Sequence, residues 1–288
     1  MFPLSNINTF NVSNFWEKLE SSNKRPTYCS GVELIEYKDF KKVFENQKIF
    51  FSLIEKIYFG KVFIIKNAFS KEFINDVKKN FADFIKSNKS SFFQMKEECP
   101  NFHRVIDEEV TKLYSFKAIK HSAYFFPWNK DEYNLFPTIN ERWRMIKFLG
   151  GRTFNEFEGN TPKDGICDRI QVLRYPTGGL LEAHQDPYHN QRTFISIYMS
   201  KRANNGDYQS GGFYVVGAEG QKIDVEPYID QGDLGFGYAT ISHGVSKINN
   251  DKKIDFEDRN VGRWFLGLYS NDSDEKKERI TASPSAPK

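Results

Sequence analysis

Residues 166–198 read ICDRIQVLRYPTGGLLEAHQDPYHNQRTFISIY. Two runs within them, IQVLRY and RTFISIYMS, are short, rich in β-branched and aromatic residues, and bounded by Gly, Pro, Asn and Asp, as strands are. The pattern returns in GGFYVVG (211–217), QKIDVEP (221–227), DLGFGYA (233–239) and RWFLGLYS (263–270). So many short strands between turn residues predict an antiparallel sandwich or barrel of jelly-roll type.

Upstream, from about residue 9 to 150, the pattern is mainly helical. Between Lys71 and Asn88, apolar Phe73, Ile74, Val77, Phe81, Phe84 and Ile85 recur at helical spacing, with Ser70 as N-cap and Phe69 placed to staple Ile74. KVFIIK (61–66) reads as a short strand. A second helix is expected over Ile139–Leu149, opened by a Thr138/Glu141 capping box and closed by Gly150 and Gly151. EGNTPKDG (158–165) marks a loop. The expected organisation is an α+β chain with a helical part over 1–165 packed on a mainly β core over 166–272. Residues 273–288, charged and then Ser/Pro/Ala-rich, are expected to fray as a flexible tail.

Composition excludes several classes. Lys plus Arg number 41 against 38 Asp plus Glu, a net +3 in 288 residues, too balanced for a nucleic-acid coat or a polybasic membrane anchor. No apolar run approaches the ~20 residues that span a bilayer, and the start lacks a basic then apolar leader, so a cytoplasmic protein with no membrane contact is expected. Cys29, Cys99 and Cys167 have no C-x-x-C spacing and are expected as buried thiols.

The chemistry points to three residues. His184 and Asp186 stand two apart, so in an extended segment both face one side and can share a metal ion. His243, far along the chain, can come from another strand of the same sheet. Two imidazoles and one carboxylate on one side of an ion form the facial triad of non-haem Fe(II) oxygenases, which leaves positions open for cosubstrate and O₂. His189 reads as a solvated turn residue, while His103 and His121 have no paired spacing.

The ordered set Tyr175-Pro176-Thr177-Gly178, His184-Gln185-Asp186, RTFISIYMS, Gly211-Gly212-Phe213, Gly232-Asp233-Leu234, His243-Gly244-Val245 and Arg263-Trp264-Phe265 resembles the core of the 2-oxoglutarate and Fe(II)-dependent dioxygenases, with ordering closest to the prolyl 4-hydroxylase-like branch. The preceding YFGKVFIIKNAFSKEFINDVKKNF is similar to the strand and helix before that core. The resemblance implies a double-stranded β-helix, jelly-roll or cupin-like, with iron on His184, Asp186 and His243 and with 2-oxoglutarate and O₂ as cosubstrates.

It also implies that Arg263 grips the far carboxylate of 2-oxoglutarate, a task that suits a forked guanidinium. The interval from His243 to Arg263 is longer than usual for the family, and NNDKKIDFEDRN reads as an inserted loop within it; Lys247 is the substitute if that loop is ordered differently. Tyr198 and Tyr175 match positions that hold the cosubstrate or line its pocket. With Leu173 and Tyr175 facing inward, alternation puts Gln171 and Arg169 on the same face, within reach of cosubstrate or substrate. From the helical part, Arg104, Trp128 and Asn129, together with His103 and Arg142, are expected to build a substrate lid, aided by loops 204–210 and 249–260.

The implied reaction is hydroxylation of a C–H bond in a small polar metabolite, such as an amino acid, saccharide or natural-product intermediate, with formation of succinate and CO₂. Peptidyl substrates remain an alternative, as does a cupin-type isomerase or hydrolase that does not use 2-oxoglutarate. The last strand lacks the second arginine of AlkB-like repair enzymes, so no nucleic-acid partner is expected. Substrate identity and oligomeric state are left open.

Overall fold

The computed structural model describes residues 10–285, so the ends of the expected helical part and tail lie outside the described residues. In chain order the elements are α1 (Val12–Ser22), β1 (Gly31–Glu36), α2 (Tyr37–Val43), α3 (Gln47–Tyr58), β2 (Lys61–Lys66), α4 (Lys71–Ser87), β3 (Phe102–Ile106), β4 (Ala118–Phe125), α5 (Leu135–Leu149), β5 (Ile166–Tyr175), β6 (Leu180–Gln185), β7 (Thr193–Tyr198), β8 (Gly212–Val216), β9 (Lys222–Asp224), β10 (Leu234–Tyr238), β11 (His243–Ser246), β12 (Arg263–Asp272) and β13 (Ser283–Pro284). The strands join in the order β1-β2-β10-β7-β12-β5-β4-β6-β11-β8-β9, with β3 beside β4 and β13 beside β6. Among the described pairs β1 and β2 run parallel, and the barrel strands pair antiparallel. The fold is the expected mainly β jelly roll with a helical layer packed on it.

Alternation sorts the two faces of β5 and β12. Ile170, Val172, Leu266 and Leu268 face outward into a core shared with Trp16, Phe50, Ile54, Phe81 and Trp143 from the helices. Leu173, Tyr175 and Phe265 face inward. Trp16 is fully buried, and its indole N–H donates to the carbonyl of Leu149 at 2.8 Å, tying α1 to the end of α5. Losing such a ring would cost about 3–5 kcal/mol.

Helix α4 matches the expected span, and the Ser70 hydroxyl accepts from the amide of Phe73 at 3.2 Å. Phe69 stacks on Phe73 (5.4 Å between centroids) and lies in the same buried core as Ile74. Helix α5 starts a turn earlier than expected. The Asp131 carboxylate accepts from the amides of Leu135 and Phe136, so the Thr138/Glu141 box is not its cap, and Pro137 sits in the first turn, where its missing N–H costs nothing.

Two further corrections concern organisation. The part before residue 165 is not only a helical cover, because β4 lies between β5 and β6 and pairs with both, placing HSAYF (121–125) inside the barrel wall. The segment after Asp272 does not fray over its described length. Ser273 is fully buried with its hydroxyl on the carbonyl of Pro162, Arg279 pairs with Asp274, and Ser283–Pro284 add a strand to β6 opposite Gln185 and His184. All three cysteines are buried and free, as expected. No helix among the described residues is long and apolar enough to cross a membrane.

Candidate functional site

Strands β6 and β11 are cross-strand neighbours, with His184 directly opposite His243. Their rings lie 4.4 Å apart between centroids. Asp186 follows the end of β6, its two carboxylate oxygens 3.6 Å from Nε2 of His184 and 3.7 Å from Nε2 of His243. One ligand atom from each of the three lies within 4.8 Å of the other two, and no other such group occurs among the described residues.

Tautomer follows from the backbone. Nδ1 of His184 faces the carbonyl of Glu182 at 3.1 Å, and Nδ1 of His243 faces the carbonyl of Ile241 at 2.8 Å. Each Nδ1 must carry the proton to donate, which leaves both Nε2 lone pairs aimed at the common point beside Asp186. Burial, reinforced by His243, holds His184 well below its ordinary pKa, the state a ligand needs. Burial raises the Asp186 carboxyl, although His243, Lys120 and Arg169 pull it the other way. Phe116 stacks on His184 at 4.8 Å, and Phe194 lies 4.7 Å from His243.

The three residues line a cavity whose wall also includes Tyr175, Arg263, Phe265 and Tyr269. Cross-strand pairing sets their order on the inner face: Arg263 opposite Tyr175, Phe265 opposite Leu173, Gly267 opposite Gln171, and Tyr269 opposite Arg169. Arg263 is buried, and its Nε donates to Oε1 of the equally buried Glu226 at 2.6 Å. Among the described residues nothing accepts from its two Nη groups. Burial alone would lower its pKa, but Glu226, Tyr208 and Tyr198 around it raise it above the ordinary value. Glu226 also accepts the amide of Phe213 at 2.6 Å, so the acid is anchored before it anchors the arginine.

The hydroxyls of Tyr175 and Tyr198 are buried without a hydrogen-bond partner. Tyr198 stands beside Arg263, 5.7 Å from its ring to the guanidinium carbon, and packs over Gly235, where a Cβ would collide with the hydroxyl. Gln171 and Arg169 do share the inner face: Nη2 of Arg169 lies 3.3 Å from Oε1 of Gln171.

The interval before Arg263 is a loop with no helix or strand between β11 and β12. Arg174, on the outer face of β5, binds it through the carbonyls of Phe256, Asp258 and Val261, which keeps the loop off the cavity and leaves Arg263, not Lys247, at its wall. No residue of loop 249–260 lines this cavity. Loop 204–210 contributes the buried Tyr208, whose pKa both Arg263 and Glu226 influence.

Other expected lid residues are elsewhere. The Trp128 indole and the Asn129 amide both donate to the carbonyl of Cys99, and Trp128 stacks on Phe126 in a separate small core with Met95 and Phe102. Arg142 is held by the carbonyl of Ala68 and by Glu141, and His103 by His121 and the carbonyl of Asn88. These aromatic and polar side chains pack and brace the scaffold, which the sequence pattern alone does not separate from lining a mouth. Arg104 is half-buried and donates to the Tyr114 hydroxyl at 3.0 Å. His189 is exposed. Sequence reasoning missed Glu226, Phe116 and Lys120, which belong to no local motif, and Tyr269, which alternation from Arg263 and Phe265 in RWFLGLYS could have placed on the inner face.

No protein-family model matches the sequence, and no curated protein matches it. Solved structures do. A full-length Neurospora crassa protein in complex with α-KG superposes with a TM-score of 0.52 at 14% identity, covering 89% of this chain and 92% of that one. The same Neurospora crassa protein with α-KG and thymine gives 0.51 at 14% identity over 89% and 90%. A Pseudomonas putida prolyl-4-hydroxylase is similar at 0.47 and 11% identity over 76% and 96%. The chain shares the fold of the Neurospora crassa structures solved with α-KG.

Proposed function

We propose that the chain is a 2-oxoglutarate-dependent Fe(II) dioxygenase that hydroxylates a C–H bond of a small polar metabolite. The observation that carries this reading is one cavity with two differently equipped ends: the two Nε2 lone pairs with the Asp186 carboxylate, and a buried arginine whose Nη groups have no acceptor among the described residues. The donor set of two imidazoles and one carboxylate suits Fe(II) with positions left open. The partnerless hydroxyls of Tyr175 and Tyr198 are the kind of buried group that native structures satisfy, here by a bound ligand.

Bound there, iron(II) and 2-oxoglutarate supply O₂-driven oxidation of a C–H bond, with succinate and CO₂ formed alongside. The chain supplies the rest. His184 and His243 present neutral Nε2 atoms because backbone carbonyls hold their Nδ1 protons. Glu226 fixes the guanidinium plane through Nε, so that Nη1 and Nη2 of Arg263 can grip the far carboxylate of 2-oxoglutarate bidentately. Tyr175, on the cavity wall, donates its hydroxyl to the same ligand, Tyr198 stands behind it beside Arg263, and Phe194, Phe213 and Phe265 exclude water. Gln171 and Arg169 face the substrate side.

The test is substrate-dependent succinate formation by anaerobically purified, Fe(II)-loaded protein screened against metabolite sets. Failure to bind 2-oxoglutarate in a direct titration of the metal-loaded chain would sink the reading.

A further inference from the structure

Beyond the ligand atoms, the inner face of the barrel ends in charge that the fold does not answer. Arg169 lies opposite Tyr269 on β12, six residues along that strand from Arg263, or about 20 Å at ~3.4 Å per residue. Its guanidinium sits over two rings, 5.3 Å from Tyr124 and 5.0 Å from Tyr269, and its buried Nε has no hydrogen-bond partner. Gly267 makes this arrangement possible, since a Cβ there would meet the Tyr269 ring at 2.5 Å. Lys120, half-buried on the neighbouring β4, also lacks an ion-pair partner among the described residues, and burial pushes its amine down to about 8.

Asp186 is the carboxylate whose charge acts on both cations. A divalent cation at the triad answers the charge of Asp186 and leaves the two without a counter-charge. Nearby Arg279 does not change the balance, because Asp274 already holds it. Tyr269, which carries the Arg169 guanidinium on its ring, also lines the cavity of the triad. A guanidinium and an ammonium without a carboxylate partner on this inner face are costly to the free protein and suited to an anionic ligand, which forms charge-assisted hydrogen bonds with both.

We propose that Arg169 and Lys120 form an oxyanion clamp on the substrate side of the metal, and that the substrate is a small molecule carrying a carboxylate or phosphate. This inference rests on the dioxygenase reading and narrows its substrate class. Tyr124 and Tyr269 flank the clamp as aromatic walls, so the body of the substrate lies between rings while its anion reaches the guanidinium.

The test uses the full chain loaded with Mn(II) and 2-oxoglutarate without O₂, titrated calorimetrically with benzoate, phenyl phosphate and benzamide. The two anions bind at millimolar concentration or tighter and are preferred over the neutral amide by about 10-fold or more, the discrimination expected of a charge-assisted contact. The preference of benzoate over phenyl phosphate, or the reverse, assigns the anion type. In Arg169→Gln and in Lys120→Met the preference falls to within about twofold in at least one variant, while 2-oxoglutarate binding, titrated first, stays at the wild-type value and reports an intact fold. Equal binding of anions and amide, no anion binding at all, or a preference that survives in both variants overturns the clamp. If 2-oxoglutarate itself does not bind the wild-type chain, the dioxygenase reading falls instead.

Discussion

On β5 and β12, alternation places one buried ion pair near each face of the sheet: Lys147 with Asp168 among the helices, and Arg263 with Glu226 inside the barrel. All four side chains are almost fully removed from solvent. The outer pair is closed. Lys147 also donates to the carbonyl of Glu156 at 2.6 Å, and Asp168 accepts from the Ser270 hydroxyl at 2.8 Å. The inner pair is open, because Glu226 takes Nε of Arg263 and the amide of Phe213 while the Nη groups of the arginine stay uncommitted. Burial and pairing therefore do not distinguish a brace from a binding group. The donors left over do.

The comparison can be broken most forcefully at the metal end of the open face. His243→Ala removes one of three ligands, and turnover should fall by well over the about 100-fold that loss of an outer-shell partner costs, with circular dichroism still showing a folded chain. Normal Fe(II) occupancy in that variant would remove the triad from the account.

The closed pair should respond in stability alone. Lys147→Met leaves Asp168 buried without a counter-charge, and chemical denaturation should show a loss of about 3–5 kcal/mol. Affinity for 2-oxoglutarate in the folded fraction should stay unchanged. A variant as stable as wild type would show that the outer pair is not a brace.

Arg263→Lys sharpens the contrast, since it keeps the charge facing Glu226 and loses the fork. The Michaelis constant for 2-oxoglutarate should rise about 10- to 100-fold, with a much smaller change in melting temperature. An unchanged constant would move the grip to another cation.

Acid should act through a third buried pair, His103 and His121, whose Nδ1 and Nε2 lie 3.0 Å apart. Burial, then His103 and Arg174, press the His121 pKa down to about 3. Above the unfolded value of about 6.5 both states are neutral there. Below it the unfolded chain takes up the proton first, so stability falls as pH drops from about 6.5 to about 3, by up to ~1.4 kcal/mol per unit. Thermal melts of the metal-free protein should show this slope added to that of His184, which burial also holds well below its ordinary value, and His121→Phe should reduce it by the share of one proton.

The smallest effect is expected at Trp128. Trp128→Phe keeps the stack on Phe126 and loses one indole hydrogen bond to Cys99, about 1 kcal/mol, and should leave the coupling of 2-oxoglutarate turnover to substrate oxidation intact. Uncoupled decarboxylation in this variant would return the residue to the mouth of the site.

What the sequence makes legible follows from how local each signal is. IQVLRY, RTFISIYMS and RWFLGLYS carry enough apolar alternation to be read as strands, and the triad is visible because His184 and Asp186 share one face and His243 stands in a short list of histidines. The strands that hold the ligands are harder, since HGVS is four residues long and LLEAHQ has polar residues where a core strand has apolar ones. β4 reads as an aromatic wall because its pairing with both β5 and β6 is a long-range event. Glu226 sits in VEPY with nothing local to mark it, and only the approach of β8 and β12 makes it the partner of Arg263. The tail reads as frayed by composition, while Ser273 and Arg279 gain their partners from Pro162 and Asp274.

The short β13 has a practical side. On the edge of β6 that faces away from β11, β4 covers Leu180 and Leu181, and β13 takes over opposite His184 and Gln185. An expression clone trimmed after Asp272 because the remainder looks dispensable would strip that cover from the strand carrying the first metal ligand. Backbone groups so uncovered are a template for pairing with another molecule. Material from such a clone would be prone to self-association and slow to hold iron, and its poor behaviour would be blamed on the metal when the cause is a missing strand.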